Sequence, residues 1–252
     1  MLHVEHLSLF YGKVRGFEDL TFSLSPGLYT VIGPSGCGKT SLFRSLAGLE
    51  TPSTGTIDHH DRRLNQHGKT CVASPERGIM LVSQESALWP HLSSLDNLVA
   101  VLRGRGQNRK EAREKAMELL TDMRVEHLAT RRPYELSGGQ ARCVEIARAL
   151  AVDSDTLLLD EPFTGIDVQA SHDILDRLQE LEANRKMLIL MSTHSPYLLK
   201  KINRPTLLME AGRLVAHGPV ASLQKEIENT FLNVMQPEDT PAPGEGEWRR
   251  PS

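Results

Sequence analysis

The sequence predicts an α/β fold. A mostly parallel sheet is covered by helices, with an antiparallel β portion at the N-terminus and a helical region inserted midway. Three observations carry this prediction. From residue 156 onward, apolar runs of strand length alternate with helical ones: "TLLLD", "VQASHDILDRLQELE", "KMLILMST", "SPYLLKKI", "TLLMEAG" and "RLVAHG". Alternation of this kind builds a parallel sheet with helices on its faces. Residues 1–32 read instead as strands joined by tight turns. Between about 95 and 151 the apolar spacing is helical.

Taken in order, "MLHVEHLSLF" alternates through Val4, Leu7, Leu9 and Phe10, and "LTFSLS" and "LYTVIG" follow around the turn signal Pro26-Gly27. "GPSGCGKT", residues 33–40, joins the strand "YTVI" to the helix "KTSLFRSLAG", which is expected to stop at Gly48. "TGTIDHH" and "GIMLVSQ" are further strands, the second apolar enough to be buried on both faces. The pair His59-His60 reads as a solvated turn rather than a metal site. In "NRKEAREKAMELLTDM", Asn108 is the expected N-cap, with Ala112, Ala116, Leu119 and Leu120 on one face. The expected organisation is one domain over residues 1–236, its helical subdomain at about 95–151, and a disordered tail over 237–252 rich in Pro, Gly and charge.

Bulk properties exclude several classes. At 252 residues with 39% hydrophobic and 24% charged residues, the chain can bury a sizeable core and is not a disordered or fibrous protein. A net charge of -3 gives no basic surface for a nucleic-acid backbone, so no nucleic-acid partner is expected. Cys37, Cys71 and Cys143 lack paired metal or redox spacing and read as reduced thiols of a cytosolic protein. The N-terminus does not have the pattern of a signal peptide. No apolar run approaches the roughly 18 to 20 residues that cross a bilayer, so any membrane role is expected to be peripheral.

The chemistry lies in three motifs. "GPSGCGKT" fits G-x-x-x-x-G-K-[ST] in the strand-to-helix context that the motif requires. Gly33, Gly36 and Gly38 let backbone N–H groups face phosphate oxygens, Lys39 supplies a point charge, and the Thr40 hydroxyl can ligate Mg²⁺. "TLLLDEP" puts two carboxylates at the end of an apolar strand, where open parallel sheets bind ligands. Alternation along the strand predicts that they point to different sides: Asp160 toward Mg²⁺, through water, and Glu161 as the general base or water-positioning group. "LSGGQ" opens a second helix with Ser137, Gly138 and Gly139 at its N-terminus, and so makes a second anion nest.

On these motifs, residues 2 to 225 resemble the nucleotide-binding subunit of an ATP-binding-cassette transporter, a P-loop NTPase, with five or six motifs in that family's order. The resemblance implies an ATPase using ATP and Mg²⁺, with Gly33, Pro34, Ser35, Gly36, Cys37, Gly38, Lys39, Thr40 and Ser41 around the phosphates. It implies that two cassettes, identical or paired, associate head to tail, so that Ser137, Gly138, Gly139 and Gln140 cover the ATP held by the neighbour. By the same resemblance Tyr11 stacks on adenine, and Gln84 touches Mg²⁺ and links the nucleotide to the transmembrane partner. His194 contacts the γ-phosphate and attacking water, and Asp167 belongs to the loop communicating between sites. The catalytic set is then Glu161, His194 and Lys39; the metal set is Thr40, Gln84 and Asp160.

"SALWPHLSSLDNL" is similar to the segment after the glutamine loop in compact bacterial import ATPases, with Trp89 and Leu92 as an edge for a transmembrane helix. The implied partners are transmembrane permease subunits and, for an importer, a solute-binding protein. The implied location is cytoplasmic, on the cytoplasmic face of the inner membrane. Ala141, Cys143 and Glu145 depart from the family's usual residues after "SGGQ", as does Thr164-Gly165-Ile166 before Asp167. Two alternatives stay open: a non-transport cassette that regulates a membrane complex or assembles a cofactor, and an unrelated phosphate-loop kinase or GTPase.

Overall fold

A computed structural model describes residues 1–152 and 154–235. The expected disordered tail lies outside the described residues.

Two sheets form the framework. Strands β1 (Leu2–Tyr11), β2 (Val14–Leu24), β4 (Thr54–His59), β5 (Arg62–Gln66) and β6 (Lys69–Thr70) make an antiparallel sheet in the order β2-β1-β4-β5-β6. Strands β3 (Gly27–Ile32), β7 (Ile79–Val82), β8 (Thr156–Leu159), β9 (Leu188–Thr193), β10 (Thr206–Glu210) and β11 (Arg213–Gly218) make the second, in the order β11-β10-β3-β9-β8-β7. All pairs in it are parallel except the β10–β11 hairpin, so the sheet is mixed but mostly parallel.

Helix α1 (Lys39–Leu46) follows β3; α2 (Ser94–Gly104), α3 (Arg109–Asp122) and α4 (Gly138–Leu150) lie between β7 and β8. Helices α5 (Val168–Arg185), α6 (Pro196–Ile202) and α7 (Gln224–Met235) follow β8, β9 and β11. The expected α3 is seen in full: Asn108 accepts from the amides of Lys110 and Glu111, Glu111 returns the bond, and Ala112, Ala116, Leu119 and Leu120 are buried.

The central strands are apolar throughout because each side of the sheet is covered. Leu157, Leu159, Ile189 and Met191 pack with residues of α2 to α5, whereas Leu158, Leu190, Val31 and Met209 pack with the antiparallel sheet and α1. Strand β7 departs from the expected burial on both faces: Met80 and Leu81 are half-buried beside a groove that also exposes Trp89.

The reading of His59-His60 as a solvated turn needs correction. His60 is exposed, at a left-handed φ of 52°, but His59 is buried. Its Nδ1 faces the Arg77 carbonyl at 3.2 Å and its Nε2 faces Thr156 Oγ1 at 3.0 Å. Alternation along β4 turns His59 inward, where burial pushes the imidazole pKa down.

Candidate functional site

Parallel strands all end on the same edge of a sheet, and that edge collects the site. The phosphate loop follows β3, Gln84 follows β7, Asp160 and Glu161 follow β8, and His194 follows β9. Tyr11, Ser35, Gly36, Gly38, Lys39, Thr40, Ser41, Gln84, Glu161 and His194 line one open cleft of about 510 Å³. A larger apolar groove of about 700 Å³ between α6 and α7 contains none of the motif residues.

The loop keeps its shape by close packing as well as by backbone freedom. Gly38 caps α1 at a left-handed φ of 102°. Gly33 is required for space rather than for a positive φ, since a Cβ there would run into the Met209 carbonyl. With no side chain capping α1 and no acid in its first turn, the helix N-terminus is open to an anion. Lys39 Nζ is buried in the loop, donating to the Gly33 and Pro34 carbonyls at 2.7 and 2.9 Å, and pairs with no carboxylate among the described residues. A buried cation whose contacts are neutral groups, these carbonyls and the Cys37 sulfur at 3.9 Å, favours an anionic ligand. Cys37 packs under the loop, where burial pushes its thiol pKa up.

Asp160 is buried at 3% exposure; its Oδ2 accepts from Thr40 Oγ1 at 2.7 Å and its Oδ1 from Ser192 Oγ at 2.6 Å. Glu161 faces the other way, with Oε1 3.0 Å from His194 Nδ1 and Oε2 accepting from Thr164 Oγ1 at 3.0 Å. The two carboxylates diverge as expected, but strand alternation is not the cause. Strand β8 ends at Leu159, and Glu161 takes a left-handed φ of 47° while its amide donates to Ser192 Oγ at 2.8 Å. Such strain in a non-glycine residue persists only where its surroundings enforce it. Thr40 hydroxyl, Asp160 carboxylate and the Gln84 amide offer hard oxygen donors, the set that suits Mg²⁺.

The Tyr11 ring is 47% exposed beside the cleft; its hydroxyl donates to Glu50 Oε2 at 2.5 Å and its oxygen lies 3.1 Å from Ser41 Oγ, which can donate to it. Partial burial, reinforced by Glu50, pushes its pKa up, so the phenol stays protonated. The ring thus presents an aromatic face anchored at its polar end.

Ser137, Gly138, Gly139, Gln140 and Asp167 do not join this cleft. Ser137 caps α4, accepting from the Gln140 amide at 3.3 Å while Gln140 Oε1 accepts from the Ser137 amide at 3.0 Å. Asp167 caps α5 through the Ala170 amide at 2.9 Å. Gly139 is buried against Ala170, where a Cβ would crowd that side chain.

Three groups escaped the sequence reading. Ser192 and Thr164 orient the two carboxylates, and no motif marks them. Arg142 on α4 donates to the carbonyls of Ser83 and Gln84 at 2.7 and 3.0 Å, and pairs with buried Glu145 at 2.9 Å. Glu145 also accepts from the Ala87 amide at 3.1 Å, so the departure at 145 is half of a clamp on the glutamine loop. The spacing of Arg142 and Glu145, three residues apart in one helix, was the available signal.

The family described as ABC transporter matches residues 17–164. Fe(3+) ions import ATP-binding protein FbpC 1 of Rhizobium meliloti is 34% identical over 223 residues, 88% of this chain and 62% of its own length. Arginine transport ATP-binding protein ArtP of Haemophilus influenzae is 34% identical over 225 residues, 86% of this chain and 91% of its own. This chain therefore spans under two thirds of the iron-related proteins but most of the arginine-related one. Among solved structures, an ATP-binding cassette of an ABC transporter, MJ1267, superposes with a TM-score of 0.81 at 23% identity, covering 92% of this chain and 98% of that one. The dimeric cassette MJ0796 bound to ADP and Pi superposes with a TM-score of 0.77 at 22% identity, covering 87% and 99%. At these identities the structural likeness speaks for the fold.

Proposed function

The chain belongs to the ABC transporter family, and from that premise we propose that it is the ATP-hydrolysing subunit of an import system, working as a dimer on separate transmembrane permease subunits. One observation carries the reading: Lys39, Thr40, Gln84, Glu161 and His194 converge on one cleft while "LSGGQ" opens elsewhere on the surface.

The phosphates of ATP lie along the loop amides from Ser35 to Ser41, with Lys39 Nζ on the terminal phosphates and adenine against Tyr11. Thr40, Gln84 and Asp160 would hold Mg²⁺, which would supply charge neutralisation for the phosphate oxygens. Glu161 orients a water and takes its proton as the water oxygen bonds to the γ-phosphorus and the bond to ADP breaks. His194 holds Glu161 from one side and Thr164 from the other. Ser137, Gly138 and Gly139 present their helix N-terminus to the γ-phosphate of the partner subunit, so ATP joins the protomers and its hydrolysis lets them part.

The groove exposing Trp89, between Val82, Val101 and Ala149, receives the permease on the side where Arg142 and Glu145 hold the glutamine loop. The protein then works at the cytoplasmic face of the cell membrane. Among the described residues no helix is long and apolar enough to cross it. Relatives are named for iron, arginine and glucose, so the solute is set by other subunits.

The test pairs two variants. Lys39→Ala loses ATP binding; Glu161→Gln retains ATP, loses roughly 10²- to 10⁴-fold in hydrolysis rate and accumulates as a dimer in size-exclusion chromatography. A Glu161→Gln protein that stays monomeric at saturating ATP overturns the dimer mechanism. Capture of the trapped form from detergent-solubilised host membranes tests the partner: a polytopic membrane protein in near-stoichiometric yield supports the transporter reading, and soluble partners alone overturn it.

A further inference from the structure

We propose that His59, His60 and Asp155 form a binding site for a divalent transition-metal ion of the zinc class, remote from the nucleotide cleft, which staples the antiparallel sheet to the mostly parallel one. His59 ends β4, His60 follows it in the turn, and Asp155 immediately precedes β8. Asp155 thus stands at the opposite end of β8 from Asp160, so the cluster is separate from the hydrolytic site.

The ligand atoms are already gathered. One imidazole nitrogen from each histidine and a carboxylate oxygen of Asp155 lie within 4.8 Å of one another. His59 Nε2 is 3.2 Å from Asp155 Oδ1, and His60 Nε2 is 2.7 Å from Asp155 Oδ2. Zinc bonds of about 2.0–2.1 Å in tetrahedral geometry place ligand atoms roughly 3.3 Å apart, close to the first of these spacings.

The hydrogen bonds around His59 supply the physical reason for a cation. The Arg77 carbonyl, 3.2 Å from His59 Nδ1, can only accept, so Nδ1 carries the proton and Nε2 presents a lone pair. That lone pair faces Asp155 Oδ1, another acceptor. The Thr156 hydroxyl lies 3.0 Å from Nε2 and 3.1 Å from Asp155 Oδ1, and its single proton serves one of them. A metal ion between nitrogen and carboxylate satisfies both. The Nδ1–H···O=C bond is also the outer contact that orients metal-ligating histidines. Arg77 is itself fixed, buried and donating to the carbonyls of Ser45, Leu46 and Val72.

Two imidazoles and a carboxylate favour zinc-class ions over Mg²⁺ or Ca²⁺, which prefer oxygen ligands, and a water completes the set. His60 Nδ1 lies 3.3 Å from the nitrogen of Met1, which leaves Nε2 as the nitrogen that faces Asp155. The ion would join residues 95 positions apart in sequence, His60 and Asp155.

Titration of the chelator-treated full chain with Co²⁺, without nucleotide, tests the site, with d–d absorption as the readout and Zn²⁺ as competitor. One equivalent is expected to bind, and Zn²⁺ to raise the melting temperature. The variants are His60→Gln and Asp155→Asn, whose side chains are half exposed and tolerate the change, with circular dichroism as the folding check. Each is expected to weaken binding by at least roughly 100-fold, beyond the loss of an outer-shell partner. His194→Ala is expected to keep the Co²⁺ bands. Unchanged affinity in both His60→Gln and Asp155→Asn, or no d–d bands in the parent chain, overturns the proposal.

Discussion

Arg142 and Glu145 show how a residue's worth depends on its partner. Both are buried, at 6% and 4% exposure; Arg142 is tied to the adjacent carbonyls of Ser83 and Gln84, and Glu145 to the Ala87 amide. Glu145→Ala leaves a buried guanidinium without its counter-charge, and is expected to cost about 3 kcal/mol in urea denaturation. Combining it with Arg142→Gln should recover much of that, because the pair is removed together. A double-mutant cycle with additive losses would show that the two act independently. The cysteines give a second prediction at this scale. Burial pushes the thiols of Cys37 and Cys143 up, so little thiolate forms at neutral pH, whereas Cys71 is exposed. Iodoacetamide on the native protein should label Cys71 first, with Cys37 and Cys143 following only on unfolding, as read by peptide mass spectrometry.

At the scale of elements, the helix ends are stated locally and are therefore legible. Asn108 with Glu111 three residues on specifies the start of α3 whatever surrounds it, and Asn108→Ala is expected to lower stability by about 1 kcal/mol in thermal or urea unfolding. Ser137 and Gln140 form the same reciprocal cap on α4. Ser137→Ala therefore has two costs, a frayed helix start and a weaker anion nest, separable by measuring stability without ATP and dimerisation with it. The turn after β8 was less legible. A left-handed Glu161 cannot be inferred from "TLLLDEP", because the bond that holds it comes from Ser192 on a strand distant in sequence.

For the whole molecule, the separation of "LSGGQ" from the chain's own phosphate loop makes a prediction about pairing. With Cys37, Cys71 and Cys143 replaced by serine, Ser35→Cys and Ser137→Cys in one chain should cross-link between protomers when ATP is present. An intramolecular disulfide, seen as unchanged mass on a non-reducing gel with both thiols lost, would contradict the head-to-tail arrangement. The sequence by itself determined the α/β class, the glycine-rich loop between β3 and α1, the acidic pair after β8 and the serine-capped start of α4, because each is written in contiguous residues whose period or spacing has one physical meaning. It also held the departures at 143 and 145, without their use. Only the tertiary structure decided that Ser192 and Thr164 aim the two carboxylates, that Arg142 and Glu145 clamp the glutamine loop, and that His59 is buried facing Asp155. The Thr164 bond is local to the turn after β8, but its direction depends on the left-handed Glu161 that Ser192 holds; the other contacts join residues from different elements, brought together at distances along the chain that no local pattern encodes.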